Sequence, residues 1–109
     1  MKFSAFPFSI TDFAGIEPEI KQGSSGFAEW RSIFRDEVRI RQVVYSPGYL
    51  ADHWCKKGHI IFCMEGAMET TLEDGSKHLL SKGLLYTVGD DAGEHRTYSE
   101  KGCTLLIVD

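Results

Sequence analysis

The sequence has little of what marks several large protein classes. No apolar run approaches the roughly 18 residues of a membrane-spanning helix, and the first residues carry no cleavage signal for export. Lys and Arg number 12 against 16 Asp and Glu, a net charge of −4, so a basic surface for nucleic acid is absent. We therefore expect a cytoplasmic protein without nucleic-acid or membrane partners. Its 3 cysteines, Cys55, Cys63 and Cys103, are odd in number and widely spaced, which indicates free thiols or metal ligands instead of a disulfide framework.

What the sequence does contain is a series of about eight short, strand-like segments separated by turn residues. The first begins near Trp30, and the others are residues 38–45, 60–64, 67–72, 77–80, 84–88, 94–98 and 103–108. Pro47-Gly48 and Asp74-Gly75 are typical turn pairs between such segments. This spacing of strands predicts an all-β sandwich or barrel.

The strand over residues 38–45 alternates between two faces. Val38 and Ile40 occupy one face, and Arg39 and Arg41 occupy the other. We interpret the face of Val38 and Ile40 as the core face, so we expect the two arginines to be solvated. If their face is the inner one, the arginines are candidates for clamping a substrate.

Residues 1–28 differ from the rest, and we interpret them as an N-terminal arm and loop preceding a barrel over residues 29–109. Pro7, Pro18 and the glycines near residue 25 interrupt every window long enough for a helix. The arm carries five large apolar residues, Phe3, Phe6, Phe8, Phe13 and Ile16. Because such residues need burial, we expect the arm to pack across the barrel or onto a second subunit, which gives a homodimer.

The candidate metal ligands cluster around one turn. His53 and Cys55 are two residues apart, so on a strand both side chains point to the same face. Lys56-Lys57-Gly58 is a plausible turn, and His59 then begins the returning strand. His95 opens a later strand after a glycine-rich segment. Three imidazoles and one thiol suffice for a tetrahedral metal site, so we predict a metal on His53, Cys55, His59 and His95.

These residues resemble the first motif of the cupin superfamily, a glycine followed by His-x-His, a Glu and a second glycine. Here Gly48 and Gly66 flank His53-x-Cys55 and His59, so Cys replaces one His and His replaces the Glu. The second cupin motif is matched by Gly83, Gly89, Asp91, His95 and Ser99, without its Pro and Asn and with His95 one residue late. The string Asp52-His53-Trp54-Cys55 is similar to that of small bacterial DHCW-motif cupins. The resemblance covers roughly residues 38–108 and implies a double-stranded β-helix, the jelly-roll barrel, with the metal inside it.

Further residues are candidates for supporting roles around the metal. Inward parity from the ligands predicts that Ile61, Cys63 and Thr97 also face the cavity. Asp52 either accepts a hydrogen bond from a ligand imidazole or caps a turn. Cys63 is interpreted as a small buried residue that could also line the cavity, and Tyr45, Tyr86 and Tyr98 are candidates for the pocket mouth. Trp54 is expected to pack in the outer layer, and His78 to lie on the surface.

The sequence leaves the activity open. A thiolate favours soft transition metals, and zinc suits this ligand set best, with nickel or iron as alternatives. Four protein ligands would leave no vacant place on a tetrahedral ion, whereas three would leave one for water or substrate. We therefore carry forward a metal-binding cupin that takes a small polar ligand, and, as the alternative, a metalloenzyme of hydrolase, isomerase or oxygenase type. A metal-free barrel is the third reading.

Overall fold

The computed structural model describes residues 6–109, which form nine strands and one short 3₁₀ turn. The 3₁₀ turn covers Phe13–Gly15. The strands are β1 (Glu19–Gln22), β2 (Phe27–Arg35), β3 (Val38–Tyr45), β4 (Tyr49–Leu50), β5 (His59–Leu72), β6 (Lys77–Ser81), β7 (Leu85–Val88), β8 (His95–Ser99) and β9 (Cys103–Val108). The prediction of an all-β fold is confirmed.

The strands form two antiparallel sheets that share β5. One sheet has the order β1-β2-β3-β9-β5-β7, and the other has the order β6-β5-β8-β4. The first half of β5 pairs with β9 and β7, and its second half pairs with β6 and β8. Because one strand crosses from sheet to sheet, the structure curls into the jelly-roll barrel that the sequence predicts.

β5 contains a β-bulge where the sequence analysis predicts two separate strands, residues 60–64 and 67–72. The register against β9 shifts between Cys63 and Glu65, and Gly66 follows with a φ of 76°. A side chain at Gly66 would place its Cβ 2.4 Å from the carbonyl oxygen of Gly102, so this position requires glycine. The shift also reverses the side-chain parity: Ile61 and Cys63 face inward before it, and Met68 faces inward after it.

The core lies between the two sheets and is small. Its buried apolar residues are Ala28, Val43, Tyr49, Ile61, Cys63, Met68, Leu80, Cys103, Leu105 and Ile107. Each large aliphatic side chain among them stabilises the fold by roughly 1.5–3 kcal/mol through burial. The inward orientation of Ile61 and Cys63 was predicted correctly from their spacing.

The predicted orientation of β3 is wrong. Arg41 is only 4% exposed and Val43 is completely buried, whereas Val38 and Ile40 are half-buried. The face with the arginines is therefore the inner one. Alternation alone could not show this because both faces of β3 carry apolar residues. The buried charge of Arg41 is paired with Asp109, the residue that follows β9.

The arm is not purely extended. The side chain of Asp12 caps the 3₁₀ turn by accepting a hydrogen bond from the Ala14 amide at 3.0 Å. β1 then adds an edge strand to β2, with Ile20 opposite Glu29. Phe8 and Ile10 remain 93% and 88% exposed, so these side chains do not pack on their own barrel. Phe3 lies outside the described residues.

Within residues 6–109, no helix is long and apolar enough to cross a membrane.

Candidate metal centre

Three of the four predicted ligands come together at one end of the barrel. The ligand atoms of Cys55, His59 and His95 all lie within 4.8 Å of one another. The Cys55 sulfur is 3.4 Å from Nε2 of His59, and the rings of His59 and His95 meet edge to face with centroids 5.3 Å apart. A thiol and two imidazoles at these separations form the type of donor set that binds transition metals.

Backbone pairing explains why residues 40 positions apart in the chain meet here. Cys55 and His95 form an isolated β-bridge, in which each amide donates to the other residue's carbonyl at 2.8 and 2.9 Å. Between Cys55 and His59, the Gly58 amide donates to Oδ1 of Asp90 at 2.7 Å, which anchors the connection. His59 then enters β5 at its first residue. The local chain path thus directs all three side chains to one point.

The protonation of His59 suits metal binding. Its Nδ1 lies 2.9 Å from Oδ2 of Asp109. A carboxylate only accepts hydrogen bonds, so Nδ1 carries a proton, and Nε2, beside the Cys55 sulfur, is the ring nitrogen available to a metal. Carboxylates commonly orient metal-binding histidines in this way. The donor set therefore fits a transition-metal ion.

Electrostatics keep His95 in the form that a metal requires. Burial lowers the pKa of His95, and the neighbouring His59 lowers it further. His95 is only 4% exposed. A neutral imidazole retains a free lone pair, so this environment favours a ligand over a cation.

Asp109 is the functional residue that the sequence did not reveal. Its side chain is fully buried and accepts hydrogen bonds from Arg39 at 2.9 and 3.0 Å, from Arg41 at 3.0 Å and from His59. Burial by itself raises the pKa of the Asp109 carboxyl, but the bonds from His59 and Arg39 and the charge of Arg41 outweigh it and hold the pKa far below its usual range. Asp109 is therefore an anion that joins β3, β5 and β9.

His53 does not belong to the three-residue group. Its side chain is 71% exposed, and its Nδ1 lies 2.6 Å from Oδ1 of Asp52, itself 61% exposed. This contact lowers the pKa of the Asp52 carboxyl. Asp52 thus pairs with an imidazole as expected, but with the one that stands apart from Cys55, His59 and His95.

Cys63 and Tyr98, two of the residues predicted to line the pocket, do not lie beside Cys55, His59 and His95. Cys63 is fully buried in the core, where burial raises the pKa of its thiol and its Sγ lies 3.5 Å from the Glu65 and Gly66 carbonyl oxygens. Tyr98 is 38% exposed and lines a separate groove with Glu69 and Leu79. Since His95 and Ser99 of β8 face inward, the period of two directs Tyr98 outward. Its proposed place at the pocket mouth is therefore wrong. His78 is exposed, as expected.

A cavity of about 470 Å³ opens beside Cys55, His59 and His95. Its aromatic lining includes Trp30, Tyr45, Trp54 and Tyr86, and Thr97 contributes as predicted. Trp54 is 41% exposed and faces this cavity, not a packed outer layer. Burial raises the pKa of Tyr86 to about 12, so its hydroxyl stays protonated at neutral pH.

Comparison with known proteins identifies the architecture. No family model and no curated protein matches this sequence. Among solved structures, a predicted oxalate decarboxylase from Thermotoga maritima superposes with a TM-score of 0.74 at 16% identity, covering 92% of this chain and 96% of that one. An RmlC-like cupin from Shewanella frigidimarina superposes with a TM-score of 0.63 at 19% identity, covering 84% and 81%. The chain has the cupin fold.

Another similar structure is named for a different activity. The polyketide cyclase RemF from Streptomyces resistomycificus superposes with a TM-score of 0.77 at 17% identity, covering 94% of this chain and 78% of that one. Identities this low establish the fold alone, and one fold hosts many chemistries. The function of this chain must therefore be argued from its own residues.

Proposed function

We propose that this cupin holds one transition-metal ion on Cys55, His59 and His95 and binds a small polar molecule in the adjoining cavity. The observation that carries the proposal is the convergence of these three donors within 4.8 Å, with Asp109 fixing the tautomer of His59. The Asp52-His53-Trp54-Cys55 string supports a place among the DHCW-motif cupins.

Zinc is the metal that we assign to the site. Zinc accepts both thiolate and imidazole and is commonly held by three protein ligands in sites that keep a fourth position free. Iron, nickel and copper also accept these donors, because geometry and supply, in addition to affinity, set occupancy in cells. The absence of a carboxylate among the three donors makes magnesium and calcium poor candidates.

Elemental analysis of protein purified without a histidine tag tests this proposal directly. We expect about one transition-metal ion per chain, zinc above the others, retained through gel filtration. Protein dialysed against a chelator should regain about one equivalent when zinc is added. A chain that retains no metal and takes up none on reconstitution would leave the three donors as an incidental cluster.

The alternative function is a metalloenzyme acting on a small molecule in the cavity. It is favoured by the exposed position of His53, since three ligands in place of four leave room for substrate at the ion. A bound zinc ion supplies Lewis-acid chemistry. Among the chain's own residues, Tyr86 lines the cavity with a protonated hydroxyl that can donate a hydrogen bond. Turnover by the zinc-loaded wild type but not by Cys55→Ser supports this alternative, and a broad substrate screen without turnover counts against it.

We also propose that the chain forms a homodimer. The outer face of the larger sheet is apolar: Phe62 lies opposite both Leu106 and Leu85, and Ile60 lies opposite Val108. Phe62 and Leu85 are 36% and 55% exposed, and Phe8 in the arm is almost fully exposed. A contiguous apolar face of this kind is typical of a surface that a second copy covers.

Sedimentation equilibrium tests the dimer. We expect the wild type to sediment at twice the chain mass at micromolar concentration, and Phe62→Glu to shift it toward the monomer because a charge would be buried at the contact. Leu79→Glu is the matched control, since Leu79 is 67% exposed on β6 in the other sheet. A wild type that sediments as a monomer, or equal effects of both variants, would contradict this interface.

A further inference from the structure

The cavity beside the three ligands has a charge opposite to that of the whole chain. The chain carries a net charge of −4. The charged residues that line the cavity are Arg39, Arg41, Lys56 and Lys57, and among residues 6–109 no Asp or Glu lines it. Asp109 offsets one of the two arginine charges, and Glu94 pairs with Lys56 at 3.5 Å, which leaves one arginine charge and that of Lys57. The cavity surface therefore retains a positive charge, and a concave surface of one sign concentrates ligands of the other.

Arg41 has hydrogen-bonding capacity that the protein does not use. Its side chain is 5% exposed, and its Nη2 donates to Asp109 at 3.0 Å. Its Nε is also buried and has no hydrogen-bond partner among the residues that the structure describes. An unpartnered donor on a buried cation costs stability, so such a group is usually explained by a ligand or water that completes it.

The position of Arg41 is fixed independently of any ligand. Its guanidinium lies over the ring of Trp30, 4.2 Å from the ring centroid, and Arg39 lies 5.3 Å from the same centroid. The aromatic ring and the Asp109 carboxylate hold the planar guanidinium in one orientation. A preorganised guanidinium binds a carboxylate with little loss of side-chain entropy.

We propose that the small molecule taken by this cupin is an organic carboxylate, with its anionic end on Arg41 and its body against the aromatic wall of the cavity. This inference rests on the proposed function only in placing the ligand beside the metal. The position and charge of Arg41 do not depend on a bound metal. A carboxylate fits better than a neutral polar molecule because, besides accepting a hydrogen bond from the free Nε–H of Arg41, it carries the charge that the cationic lining attracts. The aromatic residues Trp30, Trp54 and Tyr45 accommodate an apolar or planar body.

The test compares benzoate with benzamide, which has nearly the same shape but no charge. Tryptophan fluorescence reports binding because Trp30 and Trp54 line the cavity. We expect benzoate to bind at least about tenfold more tightly than benzamide, since both can accept a hydrogen bond from arginine but only the anion forms an ion pair with it. Both probes are titrated into chelator-treated and zinc-loaded protein, and inorganic phosphate is titrated in parallel.

Variants assign the preference to Arg41. Arg41→Lys keeps the charge opposite Asp109 but removes the planar guanidinium, and we expect it to lose most of the preference for benzoate. Arg35→Lys is the matched control, because Arg35 lies at the end of β2 and bonds to Ser9 and the Phe34 carbonyl away from the cavity. Circular dichroism verifies that each variant is folded, and the comparison of probes on the wild type does not depend on any variant.

The outcomes separate this inference from the proposed metal site. A preference for benzoate in both protein forms supports it, even if the protein takes up no metal and the metal proposal fails. Equal binding of benzoate and benzamide overturns it. A preference confined to the zinc-loaded form also overturns it, because the metal ion would then select the anion. A preference that Arg41→Lys retains overturns it as well, because positive charge alone would then be sufficient. Tighter binding of phosphate than of benzoate replaces the carboxylate with a phosphate ligand.

Discussion

Asp109→Ala is expected to lower the free energy of unfolding by about 3–5 kcal/mol, a large share of the stability of a small domain. The Asp109 side chain is fully buried and is the partner of Arg39, Arg41 and His59. Its removal leaves the buried Arg41 without a counter-charge, and uncompensated buried charges are among the most destabilising changes known. Urea unfolding in the presence of a chelator measures the effect without a contribution from bound metal.

Glu65→Ala provides the matched control for Asp109. Glu65 also forms an ion pair, with Lys82 at 3.0 Å, but both side chains are about two-thirds exposed. Such pairs contribute at most about 1 kcal/mol because water screens them. Similar losses in the two variants would mean that Asp109 is not the buried anchor that its contacts indicate.

Cys55→Ser is expected to weaken zinc binding by more than about 100-fold. Mutations of residues that merely orient metal ligands already cost 10–100-fold in affinity, and the loss of the thiolate removes a direct donor. Competition with a chromophoric zinc chelator measures the affinity of wild type and variant under the same conditions. Binding that is unchanged in Cys55→Ser would exclude the sulfur as a ligand.

His53→Ala distinguishes three ligands from four. The exposed position of His53 predicts that this variant binds zinc within a few-fold of the wild type. A loss as large as that of Cys55→Ser would instead restore the four-residue site expected from the sequence, and would require His53 to turn inward when the metal binds.

The sequence predicts the strands and the proximity of Cys55, His59 and His95 because both depend on local spacing. Cys55 and His59 flank one turn, and His95 follows the glycine-rich segment in front of β8, so their proximity follows once the barrel is inferred. Asp109 carries no such signal. Asp109 is a single carboxylate after an apolar strand. Its role can be recognised only when β9 is known to lie between β3 and β5, which brings Asp109 to Arg39 and Arg41.

The two errors in orientation have different physical causes. β3 presents apolar residues on both faces: Val43 is in the core, whereas Ile40 lies on the outer face and is only half-buried. When both faces are apolar, alternation does not identify the inner one, and a lone arginine is assigned to solvent by default. For Tyr98 the sequence did contain the deciding signal. Once His95 is predicted to face inward, the period of two along β8 directs Tyr98 outward.

The bridge between Cys55 and His95 makes the backbone itself part of the site. Two donors of the cluster belong to residues whose main chains are paired with each other. A local opening that separates the segment 51–58 from β8 would therefore dismantle the cluster without unfolding the barrel. An ion bound by both residues would hold the segment 51–58 against β8. The ion's residence time would then depend on how fast this segment opens, not on how fast the barrel unfolds.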